Sequence, residues 1–317
     1  MALNLAHTVV EFLQQNPEQK FTAREIAHWI FETHPDECRQ KQERSTATVN
    51  PIDNDAALVQ QIAAEIGAQR ATRLQKKSPY IKTTEGRPRK YYFTESTDSA
   101  EIDHAENSAA SPVATTNRTA IKEHDLYPTL SAFLWSELDI FSKRIDEKRS
   151  RNSRGAGGNK WLYPDLVGME DLSHDWHREI KDCVQQYADK KTKLWSFEVK
   201  ILINRSNVRE VFFQAVSNSS WANFGYLVAS EIEGADTLKE LRMLSSLHGI
   251  GFIRLDAENP SESQIMIPAK ERNEVDWDTA NRLTEENKDF LDYIKLIRQF
   301  YQTGENRQSD WDAVAID

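Results

Sequence analysis

Asp165, Glu198 and Lys200 are the residues of this 317-residue chain whose types and spacing best support chemistry. Glu198 and Lys200 stand two apart in the run Leu194–Ile203, LWSFEVKILI, whose aromatic and β-branched composition predicts a strand. The two-residue period of a strand puts both side chains on one face. Two charges on one side of an otherwise apolar strand are costly to bury unless they are paired or hold a metal. Asp165 precedes Glu198 by 33 residues, in Pro164-Asp165 at the close of a short predicted strand, Trp161-Leu162-Tyr163.

The triplet alone says little. Acid-x-Lys triplets also start at Glu18, Asp146, Glu179, Asp189 and Glu286, yet none of these sits in a long β-type run or follows a strand that ends in Pro-Asp. Other chemistry finds weaker footing. Gly155-Ala156-Gly157-Gly158-Asn159-Lys160 suggests a phosphate loop but lacks the glycine before the lysine and has Trp161 where Ser or Thr belongs, so it reads as a loop that offers Arg149, Arg151, Arg154 and Lys160 to a nucleic-acid backbone. His174-Asp175-Trp176-His177 has no evident third metal ligand and reads as surface histidines. There is no GxSxG and no credible Cys-His pairing.

The elements that must position these residues alternate between helix and strand. A helix is expected over about 128–148, with an apolar stripe of Leu130, Phe133, Leu134, Leu138, Phe141 and Ile145; Glu137 falls within it. Strands are expected at 161–167 and 194–203, with an inserted helix over 171–190. A helix at about 208–222 buries Val208, Val211, Phe212, Ala215 and Val216, while Gln214 and Asn218, four apart, project together from another face. A strand at 225–230, a helix from Asp236, strands at 250–255 and 264–267 and a helix beyond Trp277 complete the pattern. Such alternation implies an α/β domain with a central mixed sheet over 121–317.

Residues 1–95 read differently. Helices are expected near Val9–Leu13, after Thr22, which with Glu25 makes a capping box, and over Asp55–Gln69, where Leu58, Ile62 and Ile66 recur every four residues. Two aromatic-flanked strands follow around Glu85-Gly86-Arg87-Pro88. Three helices and a basic hairpin describe a winged helix, whose third helix enters the major groove while the hairpin meets the backbone. Although the whole chain carries a formal charge of −10, Arg70, Arg73, Lys76, Lys77, Lys82, Arg87, Arg89 and Lys90 face one acid, Glu85, between 70 and 92. That local excess of seven is a phosphate-binding footprint, and double-stranded DNA is the expected partner. Residues 96–120, rich in Ser, Thr and Ala, are expected to form a flexible linker.

The residues around the motif resemble the PD-(D/E)xK nuclease superfamily, with Asp165 matching its aspartate, Glu198 its acidic residue and Lys200 its lysine. The N-terminal part is similar to the HARE-type winged helix-turn-helix. The arrangement of the chain resembles the restriction-associated HrgA-like family through KWLYPDLVG at 160–168, the Glu198 strand and the closing stretch 267–290. The resemblance implies a restriction-endonuclease-like α/β core that hydrolyses phosphodiester bonds with Mg²⁺ or Mn²⁺. Asp165 and Glu198 would be the metal ligands, hard oxygen donors of the kind Mg²⁺ prefers. Lys200 would orient water or stabilise charge. The superfamily often places a glutamate in its first helix and polar residues in the helix after the motif, which brings Glu137 and Gln214 into the candidate set. A homodimer is left open.

No apolar run approaches the length of a membrane span, and the N-terminus does not read as a signal peptide. Cys38 and Cys183, far apart, argue against a disulfide scaffold and for a reducing cytoplasm. A non-catalytic DNA-binding regulator with a partner-binding nuclease-like domain and an RNA-processing nuclease or nuclease toxin are the competing readings.

Overall fold

The computed structural model describes residues 4–43, 52, 54–68, 74, 76–107, 121–150, 161–186 and 190–312. Contacts divide the chain into two units, Met1–Thr97 with Ile232–Ala235, and Asp98–Glu231 with Asp236–Asp317.

The first unit opens with helix α1 (Leu5–Gln15), strand β1 (Phe21–Thr22) and helix α2 (Ala23–Thr33). The expected capping box starts α2: the Glu25 N–H donates to Thr22 Oγ1 at 3.2 Å, and the Thr22 N–H donates to Glu25 Oε2 at 2.7 Å. A further helix, α3 (Pro35–Glu43), has no apolar stripe to announce it. Pro35 at its first position and Asp36 and Glu37 in its first turn start it, and Cys38 anchors it in the core. Then come α4 (Asp55–Ala68), β2 (Ile81–Thr83) and β3 (Lys90–Phe93), with the strands ordered β1-β3-β2, all antiparallel. Val9, Leu13, Ile26, Ile30, Ile62 and Tyr91 pack together in the core; burying each large aliphatic side chain contributes about 1.5–3 kcal/mol. Segment Ile232–Ala235 belongs here through the Glu85 N–H to the Ile232 carbonyl (2.7 Å) and the Gly234 N–H to the Thr83 carbonyl (3.0 Å). Gly234 has φ 81°, a left-handed conformation that favours glycine.

The second unit is mixed α/β around a six-stranded mixed sheet. It starts with helix α5 (Asp98–Asn107), inside the stretch expected to be a linker. The composition there is poor in core-forming residues, but Asp98 and Glu101 suit a helix start, and the single buried Ile102 gives the helix a contact face. The remaining linker positions, 108–120, lie outside the described residues. Helix α6 (Leu126–Leu138) ends well before 148, because Asp139 turns the chain in the left-handed region (φ 53°) and Ile140–Arg144 form strand β4. Phe141 and Ile145 continue the helical stripe by coincidence of spacing; buried Ile140 and Ser142 and half-buried Phe141 give the alternation of a strand.

Strand β5 (Leu166–Asp171) starts after Pro164-Asp165 rather than ending there, since Pro164 cannot donate to a ladder. Helix α7 (Arg178–Gln186) occupies the expected insertion, and β6 (Thr192–Ile203) is the long predicted strand. Next come α8 (Val208–Asn218), shorter than the 208–222 expected, β7 (Phe224–Ile232), α9 (Ala235–His248), β8 (Gly251–Arg254) and β9 (Gln264–Ile267). The last expected helix is two, α10 (Trp277–Glu286) and α11 (Lys288–Thr303), divided at Asn287, whose Oδ1 caps α11 by accepting from the Asp289 and Phe290 N–H groups.

The sheet order is β4-β5-β6-β7-β8-β9; β4/β5, β5/β6 and β8/β9 are antiparallel, and β7/β8 is parallel. Leu130 and Phe133 of α6 pack with Phe197 and Val199, while Val167, Met169 and Leu194 pack with Phe290, Tyr293 and Ile297. Helices therefore cover the sheet on both sides. Among the described residues no helix is long and apolar enough to cross a membrane.

Candidate active site

Strand periodicity sends Trp195, Phe197 and Val199 into one apolar cluster and leaves Ser196, Glu198 and Lys200 for the other side. The antiparallel register pairs Leu166 with Phe197, so the residue before Leu166 falls beside the residue after Phe197: Asp165 next to Glu198. The Asp165 N–H donates to the Phe197 carbonyl at 3.1 Å, and Asp165 Oδ2 accepts from the Val199 N–H at 2.7 Å. Two short-range backbone contacts thus fix the aspartate against the Glu198 strand.

Glu198 is 2% exposed. Its Oε1 lies 2.8 Å from Lys200 Nζ, and its Oε2 accepts from Asn218 Nδ2 at 2.7 Å. Asn218 is buried on the last turn of α8, and the same Nδ2 donates to the Tyr163 carbonyl at 2.9 Å. One amide therefore ties the Glu198 strand to the backbone just before Pro164-Asp165. Lys200 Nζ is also 3.5 Å from Glu123 Oε2. The Tyr127 hydroxyl lies 3.0 Å from Glu123 Oε1 and 3.2 Å from Asp165 Oδ1, so its one proton is shared between the two carboxylates.

Burial raises the Asp165 carboxyl well above the usual range; Glu198 adds to the shift and Lys200 opposes it. Burial likewise raises Glu198, against Lys200 and the Asn218 hydrogen bond. Burial alone would lower the Lys200 ammonium, but Glu198, Asp165 and Glu123 outweigh it and push its pKa up. Lys200 is thus held protonated among three carboxylates. Burial, Asp165 and Glu123 push the Tyr127 phenol up as well.

A cleft of about 510 Å³ opens beside this group, lined by Lys200, Glu123, Gln214, Glu210 and, from α5, Ile102, Asp103 and Glu106. Burial raises the Glu106 carboxyl; Lys200 opposes this, while Glu123, Asp103 and Glu210 add to it.

Four of the five catalytic candidates thus gather around one centre: Glu198 and Lys200 in contact, Asp165 on the neighbouring strand bound to the Val199 N–H between them, and Gln214 on the cleft wall. Glu137 does not join them. It is exposed near the C-terminal end of α6, ten residues beyond Tyr127 and so about 15 Å further along the axis. The helix-entry acid is Glu123, in the short 3₁₀ turn Glu123–Asp125 that leads into α6. Sequence reasoning missed Glu123, Tyr127 and the contact role of Asn218. The spacing of Glu123 and Tyr127 by four was the available signal.

The basic cluster is less uniform than its composition. Lys76, Lys77 and Arg87 are exposed. Lys82, however, lies 3.6 Å from Glu233 with its side chain 13% exposed, and Arg89 reaches Glu85 at 3.1 Å. Arg70 and Arg73, like Arg151, Arg154 and Lys160 of the glycine-rich loop, lie outside the described residues.

Comparison with protein-family models, with curated proteins and with solved structures finds no match for this chain.

Proposed function

We propose that this chain is a divalent-metal-dependent DNA endonuclease of restriction type. The observation that carries the reading is the meeting of Asp165 with Glu198 and Lys200 across adjacent antiparallel strands, with Glu123 drawn in from the entry to α6. Glu198 and Glu123 reach the buried Lys200 ammonium directly, and Asp165 stands on the neighbouring strand. Asp165 and Glu198 would be the ligands, hard oxygen donors of the kind Mg²⁺ or Mn²⁺ takes; the oxygens of Glu123 do not converge with theirs to within 4.8 Å. When bound, the ion supplies Lewis acidity toward a phosphodiester and lowers the pKa of a coordinated water.

The chain's own residues have distinct tasks in this reading. Asn218 and the Val199 N–H hold Glu198 and Asp165 in place, as oriented ligands require. Lys200 would orient the attacking water or offset charge on the phosphoryl oxygens. Gln214, on the cleft wall, positions the scissile strand.

DNA affinity is assigned to the first unit, read as a winged helix. Here α4, with exposed Gln60 and half-buried Gln61, is the groove-facing helix, and Lys76, Lys77 and Arg87 are the backbone contacts. The test is to incubate purified protein with modified and unmodified plasmid in Mg²⁺, Mn²⁺ or EDTA. The expected outcome is strand cleavage that requires the metal. Cleavage that persists undiminished in EDTA contradicts the proposal.

A further inference from the structure

We propose that Tyr127 is a positioning residue of this site: its hydroxyl fixes the second oxygen of the Asp165 carboxylate and so sets the donor that Asp165 presents to a metal. The role rests on the endonuclease reading of the site.

Each carboxylate of the cluster is gripped at both oxygens. Glu198 lies between Lys200 and Asn218. Glu123 lies between the Tyr127 hydroxyl at 3.0 Å and Lys200 at 3.5 Å. Asp165 lies between the Val199 N–H at 2.7 Å and the Tyr127 hydroxyl at 3.2 Å. Lys200 therefore links Glu198 to Glu123, and Tyr127 links Glu123 to Asp165. Among the described residues, Tyr127 is the one side chain that hydrogen-bonds Asp165.

The backbone of Asp165 is already fixed. Its N–H donates to the Phe197 carbonyl at 3.1 Å, and its carbonyl accepts from the Ile145 N–H at 2.9 Å. What remains is rotation of the carboxylate about its last bond, a broad torsion that one hydrogen bond leaves soft. The Val199 N–H holds Oδ2, and the Tyr127 hydroxyl, at Oδ1, supplies the second point that sets the angle.

Tyr127 suits the task because its own place is fixed. It stands in the first turn of α6, its ring packs on the cluster that holds Leu130, Phe197 and Val199, and the Arg144 guanidinium lies 4.9 Å from the ring centre. A packed phenol has two torsions, so a fixed ring places its oxygen closely. The hydroxyl is also neutral. A lysine or arginine at the same point would compete with a cation for Asp165, whereas a phenol orients the carboxylate and leaves its charge to the metal.

The full-length chain tests this with Tyr127→Phe, which removes the hydroxyl and keeps the ring beside Arg144. Hydrogen exchange of the Val199 amide, without metal, reads how firmly the carboxylate is held, because Asp165 Oδ2 is that amide's acceptor. Mn²⁺ affinity, from the paramagnetic resonance signal of the free ion, reads the donor set. Tyr127→Phe is expected to speed Val199 exchange about tenfold beyond what any change in unfolding free energy accounts for, as the loss of one hydrogen bond would. It should also weaken Mn²⁺ binding about 10–100-fold. Glu123→Ala leaves the hydroxyl to Asp165 alone and is expected to keep the Val199 amide protected.

Unchanged Val199 exchange in Tyr127→Phe, or equal loosening in Glu123→Ala, overturns the role, even where Asp165-dependent cleavage upholds the endonuclease. Mn²⁺ binding by Tyr127→Phe as tight as that of the natural chain, or tighter, overturns it too. Faster Val199 exchange in Tyr127→Phe, where the natural chain neither binds Mn²⁺ nor cuts DNA, upholds the hold on Asp165 and overturns the endonuclease.

Discussion

Each unit contains a cation–glutamate pair, and the two pairs differ in setting. In the first unit Arg89 meets Glu85 at 3.1 Å with the side chains 39% and 6% exposed, so that one end of the pair is open to water. In the second, Lys200 meets Glu198 at 2.8 Å with the side chains 12% and 1% exposed. Water beside the arginine head screens the first pair in part, whereas both ends of the second are shielded. A buried pair costs desolvation that a well-packed apolar pair would not incur, so its presence on a central strand is weak evidence for stability. Clustered titratable groups with displaced pKa values beside a cleft instead point to chemistry. Composition makes the basic hairpin conspicuous in the sequence, yet the inconspicuous Glu198-x-Lys200 carries the stronger functional argument.

The largest expected effect breaks the buried pair. Lys200→Met leaves Glu198 buried beside Asp165 with no cation and should lower unfolding free energy by about 3–5 kcal/mol, measured by urea denaturation. Arg89→Met also leaves a buried glutamate, but one whose cation was half open to water, and should cost less, about 1–3 kcal/mol. The double change Glu198→Gln with Lys200→Met should recover most of the first loss. Equal losses at the two sites would dissolve the distinction drawn here.

A salt titration of duplex binding sharpens the other side of the comparison. Because Arg89 is paired with Glu85, the triple change Arg87→Ala, Arg89→Ala, Lys90→Ala should flatten the log–log salt slope by less than the nearly three units expected from three free phosphate contacts. Coincident slopes would remove the hairpin from the DNA interface.

Asp165 gives a pH test whose sign follows from its raised pKa. Folded Asp165 holds its proton more tightly than the unfolded chain does, so its contribution lowers stability as pH rises through the ordinary Asp range, and the deficit persists above it. Asp165→Asn removes that contribution. The variant should unfold at higher urea than the natural chain at neutral pH, with the difference shrinking toward about pH 4. A variant less stable at every pH would mean that the carboxylate's hydrogen bonds outweigh its burial cost.

The smallest expected effect is at Glu137. Glu137→Gln should change stability by no more than about 0.5 kcal/mol and leave cleavage unchanged, because the side chain is exposed. Glu123→Gln should slow cleavage by about 10²-fold if Glu123 belongs to the site, as its contact with Lys200 indicates. The reverse pattern would move the acid back to the middle of the helix.

These two glutamates mark what the sequence could and could not convey. The apolar stripe of α6 specifies which side of the helix is buried, but not which end approaches the Asp165 strand. The choice between Glu123 and Glu137 is made by how the helix crosses the sheet. Strand β6 was legible in full, because a two-residue period assigns Glu198 and Lys200 to one face whatever surrounds them. The same rule was obscured at 140–145, where Phe141 and Ile145 fit a helical spacing and only the left-handed turn at Asp139 separates helix from strand. Helices α3 and α5 carry one buried anchor each, Cys38 and Ile102, too few to make a periodic pattern. Asn218 was visible as a neighbour of Gln214 on one helix, while its bond to Glu198 depends on a contact across twenty residues.

The central claim is that Asp165 and Glu198 jointly hold the metal that cuts DNA. The most direct test measures Mn²⁺-dependent cleavage of one plasmid by the natural chain, Asp165→Ala and Glu198→Gln, with duplex affinity measured on the same preparations. The account predicts cleavage by the natural chain alone, with all three proteins binding duplex within a few-fold of one another. Undiminished cleavage by either variant, with contaminating nuclease excluded, would contradict it.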